Sequence, residues 1–332
     1  MFKNMIVYRI APTWQIGLEQ LEAALAPAPF VPCSATQERS WGWVPPRGEA
    51  HGPLAESVGG QWLLRFMTEA KLLPASVLAR KVQEKAAQIE QSTGRKPGKR
   101  ESRDLKEEAK RDLLPQAFTR QGSIAVWIDP QAHFLLLDAA SQTRADEVVS
   151  ALVEALPGLS LWLLDTQTAP ATAMAQWLSS QEPPAGFTID RECELKSSDE
   201  DKAVVRYARH PLDIDEIRAH IQAGKLPTKL ALTWADRLSF VLTEGLQLKK
   251  LALLDAALAE QNPEDSGFDT DWALTTGELA AFLPELIEAL DGESERSIGN
   301  PPPPVAKARH SQEVITGPAT PPPDTAPDEA PF

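Results

Sequence analysis

Two cysteines, Cys33 and Cys193, and two tyrosines are all that 332 residues carry of either type. Two cysteines cannot build a multi-bridge framework, which points to a reducing, cytoplasmic setting with both thiols acting as small buried apolar groups. No stretch of eighteen apolar residues occurs, so no membrane-spanning helix is expected. The opening MFKNMIVYRI is too short and too charged for the apolar core of a secretory leader. Motifs that carry chemistry are missing too. There is no GxxxxGK-S/T phosphate loop, no GxGxxG, no CxxC and no HExxH. None of His51, His133, His210, His220 and His310 stands at ligand spacing from a cysteine or another histidine. Asp265, Asp269 and Asp271 cluster near Gly267 without the regular spacing and closing glutamate of a calcium loop, and they read as a turn. No catalytic residue, metal site, cofactor or small-molecule substrate is assigned, and the chain is expected not to be an enzyme. Cations are also short: 33 Lys and Arg face 47 Asp and Glu, a formal charge of −14. Such a chain repels DNA at long range unless its acids are segregated from a binding face.

Against that background one basic stretch stands out. Between residues 95 and 111 eight cations (Arg95, Lys96, Lys99, Arg100, Arg103, Lys106, Lys110, Arg111) meet four acids. A local excess on an acidic protein suits a polyanion, although mixed Lys/Glu helices are more often solvated faces. The surrounding pattern predicts a helical hairpin. Pro74 suits a first turn, and Val77, Leu78, Val82, Ala86 and Ile89 recur at helical steps. Ser92-Thr93-Gly94 stops this helix and Pro97-Gly98 turns the chain. A second helix begins at Glu101 or Ser102, carries Leu105, Ala109, Leu113 and Leu114, and ends at Pro115. Neither stripe is wide enough for burial all round, so residues 74–115 are expected to project as an arm with a basic turn.

The rest reads as α+β with a largely antiparallel sheet and packed helices. Residues 2–10 predict a strand with Ile6, Tyr8 and Ile10 on one face and Met5 and Val7 on the other. A helix runs from about Thr13 to Leu25, a short strand over 30–33, and an aromatic-proline turn over 40–46. Strands are expected over 61–68, 123–129, 133–139 and 159–164. A helix over 141–156 points Val148, Val149, Leu152, Val153 and Leu156 inward. The second half predicts a helix over 172–178 and small strands over 186–189, 192–195 and 204–208. It continues with a helix over 214–223 and strands over 225–234, 238–242 and 248–254. A helix over 276–290 is kinked or split by Pro284. The expected organisation is an α+β region from 1–73 with 116–170, the arm, a second α+β region from 171–292, and a tail from 293–332. Ten prolines and few apolar side chains make that tail a disordered segment.

Outside the arm, Arg206, Arg209 and His210 lie together, Lys225 and Lys229 share a later strand, and Lys249-Lys250 follow. Solvated strand edges are the plainer account of these. Phe118 and Arg120 sit where the arm ends. Phe118 reads equally as a side chain packed under the arm and as an exposed contact for a partner chain.

Several fragments in order resemble one family. FKNMIVYRI, FVPC and GWVPP (30–46), GQWLL (60–64), LLPQAFTR (113–120), AGKLPTKLALTW (223–234) and TGELAAFLPELIEALDGE (276–293) are similar to the recombination-associated protein RdgC family. The resemblance implies a non-enzymatic, cytoplasmic, nucleoid-associated protein that binds duplex DNA with little sequence preference, single strands being a second form to test. It implies a horseshoe-shaped monomer with centre, tip and base, closing tip to tip and base to base into a ring-shaped homodimer with a basic lining. It further implies restraint of the RecA recombinase. The arm matches the tip, and Phe118 lies close to the tip contact between copies. Pro211 after His210 and fewer lysines there depart from the family's base. Taken with the local charge, DNA contact falls to Lys81, Lys85, Arg95, Lys96, Lys99, Arg100, Arg103, Lys110, Arg120, Arg206, Arg209, His210, Lys225 and Lys229. The competing account is a protein scaffold that docks on RecA directly.

Overall fold

A computed structural model describes residues 2–199, 202–259 and 267–294. Strands β1 (Asn4–Ile10), β2 (Arg39–Val44), β3 (Ala55–Val58), β4 (Gln61–Lys71), β5 (Thr119–Asp129), β6 (Phe134–Leu137) and β7 (Leu161–Leu163) come from the first half. Strands β8 (Phe187–Ser197), β9 (Val204–Ala208), β10 (Lys225–Trp234), β11 (Leu238–Thr243) and β12 (Leu248–Leu253) come from the second. They form one sheet in the order β2-β4-β5-β6-β1-β12-β11-β10-β8-β9, with β3 on β4 and β7 on β1, and every pairing between strands is antiparallel. The expected α+β class with an antiparallel sheet is what the structure shows.

The joint between the halves is β1. Asn4 and Met5 pair with β12, whereas residues from Ile6 onward pair with β6 and β7. Its alternation is the expected one. Ile6, Tyr8 and Ile10 enter one core with helices α1 (Leu18–Leu25) and α4 (Gln142–Ala155). Met5 and Val7 enter the other, with helices α5 (Pro170–Ser180), α6 (Asp215–Gln222) and α8 (Phe268–Glu288). A strand buried on both faces loses its polar alternation, and five of the seven β1 positions carry apolar or aromatic side chains, Asn4 and Arg9 being the exceptions.

Helix α8 runs under both halves of the sheet. Trp272 meets Phe2 and Trp127 at ring-centroid distances of 5.9 and 6.5 Å. Ten residues on, Phe282 meets Phe240, Trp234 and Phe187 at 4.9, 5.6 and 6.3 Å. Phe282 is fully buried. Phe282→Ala is expected to cost about 3–5 kcal/mol, because both its transfer energy and the cavity it leaves count against the fold. Urea denaturation checks this, and a loss below about 1 kcal/mol would mean that the site collapses around the smaller side chain.

Several sequence expectations need correction. Residues 40–44 of the expected turn lie instead in strand β2, with Trp41 opposite Thr68 and Trp43 opposite Phe66, and the strand stops before Pro45-Pro46 as expected. Gly42 is required there: a Cβ would lie 2.5 Å from the Phe30 backbone. That backbone, expected as a strand over 30–33, instead lies along β2 through an isolated Pro29–Trp43 bridge. Helix α1 starts at Leu18 rather than near Thr13, because the Gln20 side chain accepts the Gly17 N–H at 3.0 Å and fixes the first turn. In α4, Val153 is exposed and Val149 half-buried, while Ala145 and Ala151 take the inward positions. The two small strands expected over 186–195 are one strand, β8, bent by register shifts against β10. Helix α8 begins eight residues earlier than expected, with Asp269 and Asp271 in its first turn, and continues through Pro284. Leu279, Phe282, Leu283, Leu286 and Ile287 are buried around that proline, so packing outweighs one missing hydrogen bond. A short helix, α7 (Asp255–Leu258), follows β12.

Asp265 and the tail beyond 294 lie outside the described residues. Glu293 and Ser294 are fixed: Glu293 bridges Thr166 and pairs with Arg9, and the Ser294 N–H donates to Asp165 O at 3.0 Å. Cys193 is buried as expected, with burial pushing its thiol up to about 12, whereas Cys33 is only half-buried. Among the described residues no helix is long and apolar enough to cross a membrane.

Candidate nucleic-acid interface

The hairpin expected over 74–115 is present as α2 (Ala75–Thr93) and α3 (Lys99–Leu113), inserted between β4 and β5. Gly94 closes α2 in the left-handed region, φ 70°, and donates its N–H to Glu90 O. The Gly98 N–H donates to the Glu101 carboxylate at 2.9 Å and starts α3. A 3-10 turn over Leu114–Gln116 ends the arm at Pro115. Helix α2 buries no residue fully, and α3 buries only Leu105 and Ala109.

The cations of the arm divide into two sets. The first is held by carboxylates. Lys85 lies between Glu108 at 2.6 Å and Asp112 at 2.8 Å, tying α2 to α3, and the hydrogen bonds from Asp112 and Glu108 push its ammonium above the ordinary lysine range. Arg95 grips both oxygens of Glu101 at 2.7 and 2.8 Å, and with Gly98 it holds that carboxyl down at about 2. Lys110 pairs with Glu38 at 2.5 Å, and Lys81 lies 3.8 Å from Glu84. The second set is Lys96, Lys99, Arg100 and Arg103. All four are exposed, around the turn and the first two turns of α3, and no acid pairs with them among the described residues. Lys106 and Arg111, named in the basic stretch but not among the assigned contacts, are equally exposed.

At the root, Phe118 is 85% exposed, which excludes packing under the arm. Its carbonyl accepts the Leu72 N–H at 2.7 Å, and Leu72 is itself 48% exposed. Leu72 escaped the sequence reading, because only the β4–β5 register places it beside Phe118. Arg120 is exposed in β5.

In the second half, β9, β8 and β10 line up Arg206, Glu194 and Lys229 in register. Glu194 pairs with Arg206 at 2.6 Å and with Lys229 at 3.0 Å, and it accepts the Thr228 hydroxyl at 2.9 Å. Burial opposes ionisation of this carboxyl, but bonds from Lys229, Thr228 and Arg206 win and hold it at about 2. Its folded-state value thus lies below its unfolded one. The stability it contributes is present above about pH 4.5 and is lost as pH falls towards about 2. Acid titration of Glu194→Gln against the parent chain should show a stability gap at neutral pH that closes through this window. A gap of constant size would remove the assignment. Arg209 is exposed with φ 56°, and the His210 ring lies against Pro211 O at 2.7 Å and Tyr207 at 5.8 Å. Lys225 contacts His220 Nδ1 at 3.3 Å.

No group of three or more His, Cys, Asp or Glu among the described residues is placed to hold a metal ion. A family model described as "Putative exonuclease, RdgC" matches residues 1–293. Relatives named "Recombination-associated protein RdgC" are similar over nearly their whole length. That of Dechloromonas aromatica (strain RCB) is 46% identical over 299 residues, 88% of this chain and 98% of the relative. That of Janthinobacterium sp. (strain Marseille) is 45% identical over 300 residues, covering 89% and 99%. That of Bordetella pertussis is 42% identical over 298 residues, covering 88% and 98%. With the antiparallel α+β fold and the inserted basic hairpin already in place, these matches show that the chain belongs to the RdgC family of recombination-associated proteins.

Proposed function

We propose that this chain binds duplex DNA without sequence preference, closes around it as a ring-shaped homodimer, and limits RecA-dependent recombination without a chemical step of its own. The observation that carries this is the second set of arm cations. Lys96, Lys99, Arg100 and Arg103 stand in solvent, free of carboxylates, on a protein of formal charge −14. Cations already neutralised inside the fold add little to phosphate contact; these four can release counterions. Arg120 and Arg209 extend the set, with Lys81, His210 and Lys225 as weaker contributors. Lys85, Arg95, Lys110, Arg206 and Lys229 would have to leave an acid first. In this reading the contacts are to phosphate, which cations meet whatever the base sequence.

In this reading the monomer is a horseshoe. The centre is 1–73 with 116–170, the tip is 74–115 and the base is 171–292. Tips and bases meet their counterparts, Phe118 lies in the tip seam, and the protein works in the cytoplasm on the nucleoid. The test is a gel shift on linear and circular duplex across a salt series. About six neutralised phosphates give a slope of log affinity against log salt near −5. A flat response would remove the electrostatic basis.

The family model's description favours a second reading, a nuclease. Incubating end-labelled duplex with Mg²⁺ or Mn²⁺ decides between them: intact duplex supports the binding protein, and metal-dependent shortening supports the exonuclease. A scaffold that docks on RecA directly would instead bind RecA with no DNA present.

A further inference from the structure

The arm leaves the sheet after β4 and returns into β5, and its own apolar packing is thin. Something beyond the neck has to fix its direction. The segment 33–38 does this through a set of polar contacts. It is fastened to β4 by the Cys33 N–H on the Glu69 carboxylate (3.1 Å), the Lys71 N–H on Glu38 O (2.8 Å) and the Lys71 ammonium on Ala35 O (2.8 Å). Two further contacts reach the arm. The Lys71 ammonium also donates to Leu114 O at 2.8 Å, at the C-terminal end of α3, where a cation suits the helix dipole. The Glu38 carboxylate pairs with Lys110, one turn earlier on the same helix. Glu69 is buried beneath this joint. Thr119 first, then the Cys33 N–H, Gln121 and Lys71, hold its carboxyl below the ordinary range.

We propose that residues 33–38 clamp the root of the arm, with Lys71 and Glu38 as positioning residues that aim the basic turn without meeting DNA themselves. This rests on the arm being the DNA-contacting element. It deepens that reading by separating two kinds of lysine in one basic region. Lys96 and Lys99 act through their charge on a ligand, whereas Lys71 and Lys110 act through carbonyl and carboxylate partners inside the fold. A loosened arm must be ordered again on binding, so losing the clamp weakens binding through ordering entropy rather than through a lost phosphate contact.

The experiment compares full-length Lys71→Met, Lys71→Arg, Glu38→Gln and Arg103→Gln chains by hydrogen exchange and by duplex binding across a salt series. Lys71→Met and Glu38→Gln are expected to speed exchange over 105–114 by about tenfold while the central amides of β4 and β5 keep their protection. Their duplex affinity should fall about three- to tenfold with an unchanged salt slope, and Lys71→Arg should restore both measures. Arg103→Gln should reduce the slope by about 0.9 and leave exchange alone. Unaltered exchange over 105–114 in both clamp variants overturns the proposal. So does a slope reduced by about 0.9 in Lys71→Met, which would make Lys71 a phosphate contact. If the parent chain fails to bind duplex, the DNA reading falls, and the exchange data still decide whether the clamp holds the arm.

Discussion

A Phe118→Asp chain is expected to run at half the mass of the parent in light scattering at micromolar concentration. Phe118 is the most exposed large apolar side chain among the described residues, and half-exposed Leu72 lies beside it, joined through a backbone hydrogen bond. Burying a phenylalanine against a partner contributes about 1.5–3 kcal/mol, and a two-fold interface counts each copy's residue. Replacing both with carboxylates removes that gain and adds the desolvation of two charges in an apolar seam. A combined loss of about 4 kcal/mol or more raises the dissociation constant by roughly a thousandfold. The monomer's melting temperature should barely move, since a side chain so exposed holds little of its own fold. An unchanged mass would sink the assignment of Phe118 to the seam, and Phe118→Ala should fall between the two.

The second large effect is on salt dependence. Replacing Lys96, Lys99, Arg100 and Arg103 together with glutamine is expected to reduce the magnitude of the salt slope by at least about 3, from roughly 0.9 per phosphate contact. Affinity for duplex near physiological salt should fall by about two to three orders of magnitude, equally for unrelated sequences. Lys85→Gln is the matched control. It removes the same charge from the same arm, but the charge is already spent on Glu108 and Asp112. Its slope should stay with the parent's, and its cost should appear instead as a less stable hairpin. A control that changed the slope as much as one member of the quadruple set would show that carboxylate pairing does not sort these cations.

That sorting is what the sequence could not supply. Local pattern made much of the fold legible. The two faces of β1, the span of β10, the two arm helices and the stop at Pro115 follow from periodicity and from proline and glycine chemistry. Long-range encounters stayed hidden. The 40–46 segment carries two prolines at its end and a glycine at its centre, which argue for a turn. Up to Val44 it is a strand because Thr68 and Phe66 receive it and because Gly42 lets the Phe30 backbone approach, and the two prolines end it. The fourteen cations assigned to DNA looked equivalent as charges. Lys85, Lys110, Arg206 and Lys229 proved to have acid partners 23, 72, 12 and 35 residues away, a difference that no window of sequence reveals. Phe118 was the reverse case: its neighbourhood suited packing and contact alike, and its exposure in the fold removes packing under the arm.

Strand β1 has a further consequence, for the order in which the chain can assemble. Strand β1, the first of the described strands in chain order, pairs through Asn4 and Met5 with Lys249 and Leu248 in the last of them. Until β12 has been synthesised, Met5 and Val7 have an incomplete hydrophobic surround, and Arg9 waits longer still for Glu293. Closure over so long a stretch of chain is slow, and the half-finished sheet presents an open edge to its neighbours in the meantime. The joint at β1 is therefore expected to close late in folding, once β12 is available to it.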